Sequence, residues 1–387
     1  MGERFDVVVV GAGITGAATA YHLMGEGAAR VLLVERAGAA SGGTGKSAAI
    51  CRQHYSTPLM ARLALESIDM MAEMEADEPG AFWQSGYMML VPGDLKDKAD
   101  ANLAMQRSAG VDTRWLSEAE IAHQAPWLDA DGVAGVVYEA RDGYADPVRV
   151  TERFIAKFRA AGGTYRAQTP CRGLIRDGDA VTGVMLESGP VSAGTVVNAA
   201  GPWARFLAET AGIAMPLRAV REQDSIWQAR SGRPLPVVSI SNAVDAIYLR
   251  PMGDGRFLIG QGFPKDYQDV DPYNYRETAD DQFINLILER AARRFPPLDG
   301  MKLISAYAAL YDVTPDWYPF IGPRSGLGGY VDACGGSGHG FKIGPAIGRE
   351  LAKRIVSGEA SGDFAGLSHD RIAAGKLFEG AYGGNRG

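Results

Sequence analysis

The stretch FDVVVVGAGITGAATAYHLMGEGAARVLLVER, near the N-terminus, most constrains the fold because it predicts a βαβ unit with a glycine-rich turn. The β-branched run from Phe5 to Val10 is typical of a buried strand, and the alanine-rich stretch from Ile14 to Met24 predicts a helix. Gly11 allows the tight turn, Gly13 allows a pyrophosphate to approach the backbone, and Gly16 allows the helix to pack on the strand. Such a unit is typical of dinucleotide-binding domains.

An acidic residue follows the second strand of this unit. Glu35 lies about 20 residues after Gly16, where an acid accepts hydrogen bonds from both hydroxyls of an adenosine ribose. The spacing favours dinucleotide binding over a structural turn, but it does not separate FAD from NAD. The next stretch, RAGAASGGTGKSAAICRQHY, stays small and flexible, whereas NAD-only domains usually proceed to another regular helix. This difference favours a long cofactor that continues across the protein.

Two later junctions also place glycine before a helix. In GTVVNAAGPWARFLAETAG, a predicted strand over Thr195–Asn198 meets a turn at Gly201, which indicates either a second nucleotide or a second wall of one site. In CGGSGHGFKIGPAIGRELA, glycines precede an amphipathic helix, whose free N–H groups and dipole favour a negatively charged or electron-rich ligand. The alternative is a glycine turn that only caps a terminal helix.

Composition limits the remaining classes. The 387 residues, 46% of them hydrophobic, can bury one or two substantial cores in about two or three domains. A net charge of −7 without a lysine or arginine block favours neither nucleic acid nor an anionic membrane as a partner. Cys51, Cys171 and Cys334 are far apart, so we expect no zinc or disulfide framework and no metal site. Without a secretory signal or a membrane-spanning apolar run, we expect a cytoplasmic protein.

Four motifs, taken together, identify a family resemblance. GAGITG with Glu35, VVNAAGPWA, LYDVTPDWYPFIG over Leu310–Gly322, and GGSGHGFK occur in the order found in the D-amino-acid oxidase-like flavoprotein superfamily. Within it, the chain resembles sarcosine oxidases, the β subunits of heteromeric sarcosine oxidase and proline dehydrogenase, and dimethylglycine dehydrogenase. The resemblance covers almost the whole chain. It implies FAD held along one domain, with the isoalloxazine ring against a second domain.

The fold class implied is α/β, or α+β in two domains: a Rossmann-like FAD-binding domain interleaved with a mixed β-sheet substrate domain. We expect the discontinuous FAD-binding domain at 1–80, 145–215 and 325–387, and the substrate-binding domain at 81–144 and 216–324. The motifs also imply which residues bind the cofactor. They are Gly11, Gly13, Ile14, Thr15, Gly16, Glu35, Arg36, Gly42, Gly43, Thr44, Lys46, Ser47, Cys171, Ala200, Gly201, Trp203, Gly338, Gly340, Phe341 and Lys342.

The mode of cofactor attachment follows from two positions. Relatives that hold FAD covalently use a histidine in the segment matching Gly43–Ala49, or a cysteine just before the tyrosine that matches Tyr311. Here Lys46 and Ala309 stand at those positions, so the resemblance implies non-covalent FAD. Leu258 matches a lysine that speeds reaction with oxygen in monomeric sarcosine oxidases, which favours a dehydrogenase over an oxidase.

The resemblance also implies the catalytic residues. Arg52 and Lys342 match the pair that holds the substrate carboxylate in sarcosine oxidases, and two cations can fix the C–H bond to be broken over flavin N5. Tyr311 matches an active-site tyrosine, with a core aromatic as the alternative. Tyr248 and Arg250, two apart and therefore on the same face of a strand, are expected to be second-tier pocket residues. His54 and His339 flank the cations; of these, we include His339 among the site residues.

These expectations combine into one function. FAD-dependent oxidation of a secondary or N-methylated amino acid, by hydride transfer to flavin N5, would give an imine that water hydrolyses. The alternatives are oxidation of a D-amino acid or a 2-hydroxy acid, since a carboxylate clamp does not distinguish amine from hydroxyl, and a largely non-catalytic flavoprotein subunit. The expected partner is a small carboxylated amine. The electron acceptor stays open, as does the choice between a homo-oligomer and a partner subunit.

Overall fold

A computed structural model describes residues 3–230, 232–359 and 362–382. Its strands are β1 Glu3–Val10, β2 Val31–Val34, β3 Ile50–Cys51, β4 Phe82–Trp83, β5 Tyr87–Val91, β6 Arg114–Trp115, β7 Gly135–Glu139, β8 Gly143–Ala145, β9 Thr164–Arg166, β10 Cys171–Asp177, β11 Ala180–Leu186, β12 Gly189–Asn198, β13 Arg218–Gln228, β14 Ser239–Asn242, β15 Ile247–Pro251, β16 Arg256–Gln261, β17 Gln268–Asp269, β18 Lys302–Val313, β19 Phe320–Arg324 and β20 Leu327–Cys334. Its α-helices are α1 Ile14–Gly25, α2 Pro58–Asp77, α3 Lys96–Ser108, α4 Glu118–Gln124, α5 Pro147–Ala160, α6 Ala204–Glu209, α7 Asp281–Arg294, α8 Gly340–Ser357, α9 Gly362–Ala365 and α10 Asp370–Ala373. Short 3-10 helices lie at Gly93–Leu95, Gly201–Trp203 and Pro296–Leu298.

The first sheet contains the predicted βαβ unit. Its strand order is β10-β11-β20-β12-β1-β2-β9, with β19 beside β20. Strand β1 runs parallel to both β2 and β12, and β9 runs parallel to β2. The run from Val7 to Val10 is buried on both faces of the sheet, as the central strand of a parallel sheet requires. The βαβ prediction is confirmed.

Helices α1, α5 and α8 pack together on this sheet, and small residues allow the close approach of α1 to α8. A Cβ atom added at Gly344 would lie 2.9 Å from Cγ2 of Ile14, and one added at Gly348 would lie 2.6 Å from Cβ of Ala18. Helix α5 begins at Pro147, where the Asp146 side chain accepts the N–H groups of Val148 and Arg149. This packing brings the start of α8 beside the glycine turn that precedes α1.

The second sheet is mixed and has two chemically different faces. Its order is β17-β13-β16-β15-β14-β5-β7-β6, with β18 beside β13; β5 pairs with β14 in parallel. One face is apolar: Trp227, Leu249 and Phe257 pack there against Phe283 and Ile287 of α7. The opposite face carries polar residues that turn towards the first sheet and line a cavity. A small third sheet has the order β3-β8-β4.

The chain alternates between the two large sheets. Strands β1 and β2, β9–β12, and β19 and β20 belong to the first sheet, while β5–β7 and β13–β18 belong to the second. The predicted fold class, a Rossmann-like domain interleaved with a mixed sheet, is therefore confirmed. The domain boundaries stay predictions, and residues 1–2 and 383–387 at their outer ends lie outside the described residues. In the described ranges, no helix combines the length and apolar character needed to cross a bilayer.

Candidate active site

A cavity of about 570 Å³ lies where the carboxyl ends of β1, β2 and β12 meet the polar face of the second sheet. Ligands of parallel α/β sheets bind at this edge because the connecting loops diverge there. The lining includes the residues predicted above to bind the cofactor or the substrate, except Gly16 and the second-tier pocket residue Arg250. The second glycine junction, with Ala200 and Gly201, therefore forms another wall of the cavity that Gly11 lines.

The first glycine turn is shaped by contacts that exclude side chains. Gly11 has a φ of +107°, and a Cβ atom there would lie 2.4 Å from the Ala199 carbonyl oxygen. A Cβ atom at Gly16 would lie 1.9 Å from the Gly11 carbonyl oxygen, so Gly16 supports the turn from beneath instead of lining the cavity. Both positions require glycine, and the backbone of the turn stays open to a ligand.

Glu35 and Thr44 hold the two loops at this end of the cavity. The Glu35 carboxylate accepts the Ala12 N–H at 2.9 Å and the Ala37 N–H at 3.0 Å. The Ile14 N–H donates to Oγ1 of Thr44 at 3.2 Å. Since the N-cap residue, Gly13, has no side chain to cap α1, the other amides of the first turn are left for a ligand.

An aromatic residue forms the neighbouring wall. The Arg36 guanidinium lies 3.7 Å from the ring centroid of Trp203, and a Cβ atom at Gly42 would lie 3.3 Å from the same ring. Nε1 of Trp203 is buried and has no hydrogen-bond acceptor within the described ranges. This wall therefore offers an indole N–H donor to a ligand.

Three other predicted cofactor residues are already engaged by the protein. Nζ of Lys46 lies 2.7 Å from Oε2 of Glu277 and 3.1 Å from the Tyr275 hydroxyl, which ties its loop to the second-sheet segment. Oγ of Ser47 accepts the Ala49 N–H at 3.0 Å. Burial raises the pKa of the Cys171 thiol to about 11, so this group lines the cavity as a neutral thiol.

The C-terminal glycine turn is held by the half-buried carboxylate of Asp312. Oδ2 of Asp312 accepts the Gly335 N–H at 2.7 Å, and burial raises the pKa of this carboxyl. Gly338 has a φ of +83°, and a Cβ atom there would lie 2.5 Å from the ring of Tyr311. The first part of the turn is thus occupied by Asp312, while Gly338, Gly340 and Phe341 line the cavity.

Arg52 lies in the cavity wall directly after β3. It is 8% exposed, donates from Nη1 to the His54 carbonyl, and lies 4.7 Å from the ring centroid of Tyr55. Two buried carboxyl groups, Glu139 and Asp142, act on its charge. Burial and the neighbouring Glu139 raise the pKa of Asp142 well above its usual range.

Lys342 is the second cation, in the first turn of α8. Burial and the nearby Arg52 charge lower its pKa to about 7. No carboxylate lies within ion-pair distance of Nζ, and no hydrogen bond to it occurs, within the ranges that the structure describes. The ammonium is thus available to a ligand. Burial removes its hydrating water, and binding an anion compensates for that loss.

The two histidines are held by protein groups. Nδ1 of His54 lies 2.9 Å from Oε1 of Glu139, and Nε2 lies 3.3 Å from the Tyr382 hydroxyl. Nδ1 of His339, at the start of α8, lies 3.2 Å from the Tyr55 hydroxyl. Both histidines line the cavity, and these contacts fix the orientation of their rings.

Two tyrosines line the second-sheet side, where the sequence interpretation missed two acids. Tyr248 donates to Oδ1 of Asp224 at 2.8 Å, and Tyr311 packs over Gly338. Glu222 and Asp224 both line the cavity from β13, and Lys265 pairs with Glu222. The available signal was the spacing of two between these acids, which places them on one face of a strand.

Comparisons with known proteins agree with this geometry. A family model described as "DAO: FAD dependent oxidoreductase" matches residues 6–354. The chain is 28% identical to bovine (Bos taurus) "FAD-dependent oxidoreductase domain-containing protein 1", covering 92% of this chain and 82% of the relative. It is 28% identical to "Sarcosine oxidase subunit beta" of Arthrobacter sp, covering 97% and 93%. The crystal structure of L-proline dehydrogenase from P. horikoshii superposes with a TM-score of 0.90 at 27% identity, covering 98% of this chain and 100% of that one.

Proposed function

The chain belongs to the family of FAD-dependent oxidoreductases, and from that premise we propose that it oxidises a secondary or N-methylated amino acid of the sarcosine, dimethylglycine or proline kind. The cofactor of the family is FAD. Two similar proteins are named for substrates of this kind: "Sarcosine oxidase subunit beta" and L-proline dehydrogenase. Both of those substrates join a carboxylate to a secondary amine.

The residues of the cavity fit FAD. The open glycine turn at Gly11 and the uncapped start of α1 suit a pyrophosphate. Glu35 stands where a ribose binds, and Trp203 presents an unsatisfied buried N–H. We propose that the cofactor-binding residues predicted above hold FAD here, without a covalent bond because Lys46 and Ala309 offer no attachment group.

The single observation that carries the substrate proposal is the pair of cations in the cavity wall. Arg52 has the buried carboxyl groups of Glu139 and Asp142 among its neighbours, whereas Nζ of Lys342 has no carboxylate within ion-pair distance in the described part of the chain. The Lys342 ammonium is therefore available to an anionic ligand at this end of the cavity. A substrate carboxylate would neutralise it, held bidentately by the guanidinium and by the ammonium as a second point charge.

This binding mode explains what each group would do during the reaction. The cations would fix the substrate carboxylate and so orient the carbon next to the amine. Tyr311 and Tyr248 would shape the opposite wall, while Tyr55 and His339 support the Arg52 side. Bound FAD supplies the acceptor for hydride from that carbon, and the oxidised substrate is an imine that water hydrolyses.

We also propose that the protein acts as a dehydrogenase and that the reduced flavin passes its electrons to a partner protein instead of oxygen. Leu258, which is uncharged and 2% exposed, stands at the position matched to the oxygen-activating lysine of monomeric sarcosine oxidases, so the side chain there cannot assist the reaction with oxygen. The similar Arthrobacter protein is named as a subunit, which supports a partner subunit for this chain as well. Slow reoxidation of the reduced flavin by air would support a dehydrogenase, and rapid reoxidation would contradict it.

Rapid-mixing kinetics of flavin reduction test the cation pair. Arg52→Ala and Lys342→Met should each lower the second-order rate by tenfold or more, because loss of one cation from a buried pair costs about 2–5 kcal/mol of binding. Lys353→Met is a matched control, since Lys353 is an exposed cation on the same helix. Wild-type rates in Arg52→Ala with every carboxylated amine would contradict the proposal.

A further inference from the structure

A buried carboxylate lines the cavity without a cation of its own. Asp224, in β13, is 6% exposed, and Oδ1 accepts the Tyr248 hydroxyl at 2.8 Å. Oδ2 accepts no hydrogen bond from any described residue, and Asp224 has no ion pair within 4.0 Å in the same ranges. Because Asp224 lines the cavity, the carboxylate oxygen that Tyr248 does not engage is available to a donor group on a ligand.

The sheet register holds this carboxylate at the cavity surface. Asp224 on β13 and Tyr248 on β15 both stand opposite Gly260 of β16, which lies between them. A Cβ atom at Gly260 would lie 2.2 Å from Cζ of Tyr248 and 2.5 Å from Oδ1 of Asp224. The glycine therefore makes room for a side-chain pair across the intervening strand.

The neighbouring acid differs from Asp224 in being paired. Glu222 forms a buried ion pair with Lys265, which also donates to the Gln261 carbonyl at 2.7 Å. Arg250 is the other cation that acts on Asp224, but its Nη1 donates to the Ala145 carbonyl at 2.8 Å. Tyr307 of β18 stands opposite Asp224 in the sheet. Burial raises the pKa of Asp224 to about 6, so the group is a carboxylate at neutral pH.

Asp224 lies on a different wall of the cavity from the cation pair. It lines the cavity from β13 of the second sheet, whereas Arg52 follows β3 and Lys342 lies in the first turn of α8. A ligand that spans the cavity would therefore meet the Lys342 ammonium on one wall and the Asp224 carboxylate on another.

We propose that Asp224 is a specificity-determining residue that receives a cationic nitrogen of the substrate, remote from the nitrogen that is oxidised. This inference rests on the proposed function. The preferred substrate is then a secondary or N-methylated amino acid that carries a second amino or guanidino group. An analogue without that group leaves the carboxylate unpaired, and sites built to bond a polar group discriminate strongly for this reason.

Matched substrate pairs test the inference in the FAD-loaded protein. Nα-methyllysine and Nα-methylornithine are compared with Nα-methylnorleucine and Nα-methylnorvaline, which lack only the terminal amine, by the second-order rate of anaerobic flavin reduction. We expect the wild type to prefer at least one cationic member by tenfold or more. Asp224→Asn should remove most of that preference, while Asp254→Asn, which alters an exposed acid at a turn, should keep it.

A binding measurement separates this inference from the proposed function. Dissociation constants of ω-aminocarboxylates of four to six carbons are compared with those of alkyl carboxylates of equal length, from the change in flavin absorbance. We expect tighter binding of an amino member in the wild type and a loss of that difference in Asp224→Asn. Equal binding in the wild type, or a preference that survives Asp224→Asn, overturns the role of Asp224. Absence of flavin reduction by all the amino acids overturns the proposed function instead.

Discussion

The lowered pKa of Lys342 predicts that carboxylate binding weakens as the pH rises above 7. A lysine with a pKa of about 7 is cationic below that pH and neutral above it, so the carboxylate site is fully charged only on the acid side. Two pH units above the pKa, about 1% of the side chain is protonated. Each unit corresponds to about 1.4 kcal/mol, so the loss between pH 7 and 9 reaches about 2.7 kcal/mol.

The assay is a titration with propionate, which has a carboxylate but no amine, followed through the flavin absorbance between pH 6 and 9. The logarithm of the dissociation constant should be flat below pH 7 and rise above it with a slope approaching one. The total rise should be at most about 100-fold, because Arg52 keeps its charge throughout. Lys342→Met should bind weakly and show no such rise, whereas Lys353→Met should behave as the wild type. A flat wild-type profile, or the same rise in Lys342→Met, would refute the reasoning.

Three further predictions concern the cofactor and the turn beside Tyr311. Acid or heat denaturation should release FAD into the supernatant, because Lys46 and Ala309 replace the attachment residues; yellow colour that stays with the precipitated chain would contradict this. Glu35→Ala should raise the dissociation constant of FAD in equilibrium dialysis by tenfold or more, since hydrogen bonds to a charged group contribute about 1.5–3 kcal/mol; an unchanged constant would mean that the ribose binds elsewhere. Gly338→Ala should lower the free energy of unfolding more than Gly253→Ala. The two glycines have similar φ angles, +83° and +78°, but only a Cβ atom at Gly338 would lie 2.5 Å from the Tyr311 ring. Equal losses of unfolding free energy in chemical denaturation would contradict the contact.

Local signals account for the parts of the fold that the sequence predicts well. The valine run of β1, the glycine turn and α1 follow from patterns within a few residues of one another. The start of α5 follows from Asp146 and Pro147 in the same way. Met60, Met71 and Met74 of α2 are buried, as the helical spacing of the apolar residues in this stretch indicates.

The candidate site could be predicted only where its residues lie within such motifs. Arg52 and Lys342 are far apart in the sequence. They could be assigned to one pocket only because each lies in a motif shared with the family, since their spacing alone predicts no contact. The pairing of Asp224 with Tyr248 depends on the register of three strands and on the missing side chain of Gly260, which no periodicity reveals. Likewise, Asp312 reaches Gly335 only after β18 and β20 have entered different sheets.

Anaerobic reduction of the bound flavin by a panel of small acids tests the proposed activity most directly. The panel contains sarcosine, N,N-dimethylglycine, proline, Nα-methyllysine, D-alanine and 2-hydroxyglutarate, with pyrrolidine as the partner of proline that lacks the carboxylate. We predict that at least one secondary or N-methylated amino acid bleaches the flavin band at one-to-one stoichiometry, and that pyrrolidine does not. Reduction by D-alanine or 2-hydroxyglutarate alone, or by proline and pyrrolidine at equal rates, would contradict the assignment of Arg52 and Lys342 to the carboxylate of a secondary amino acid.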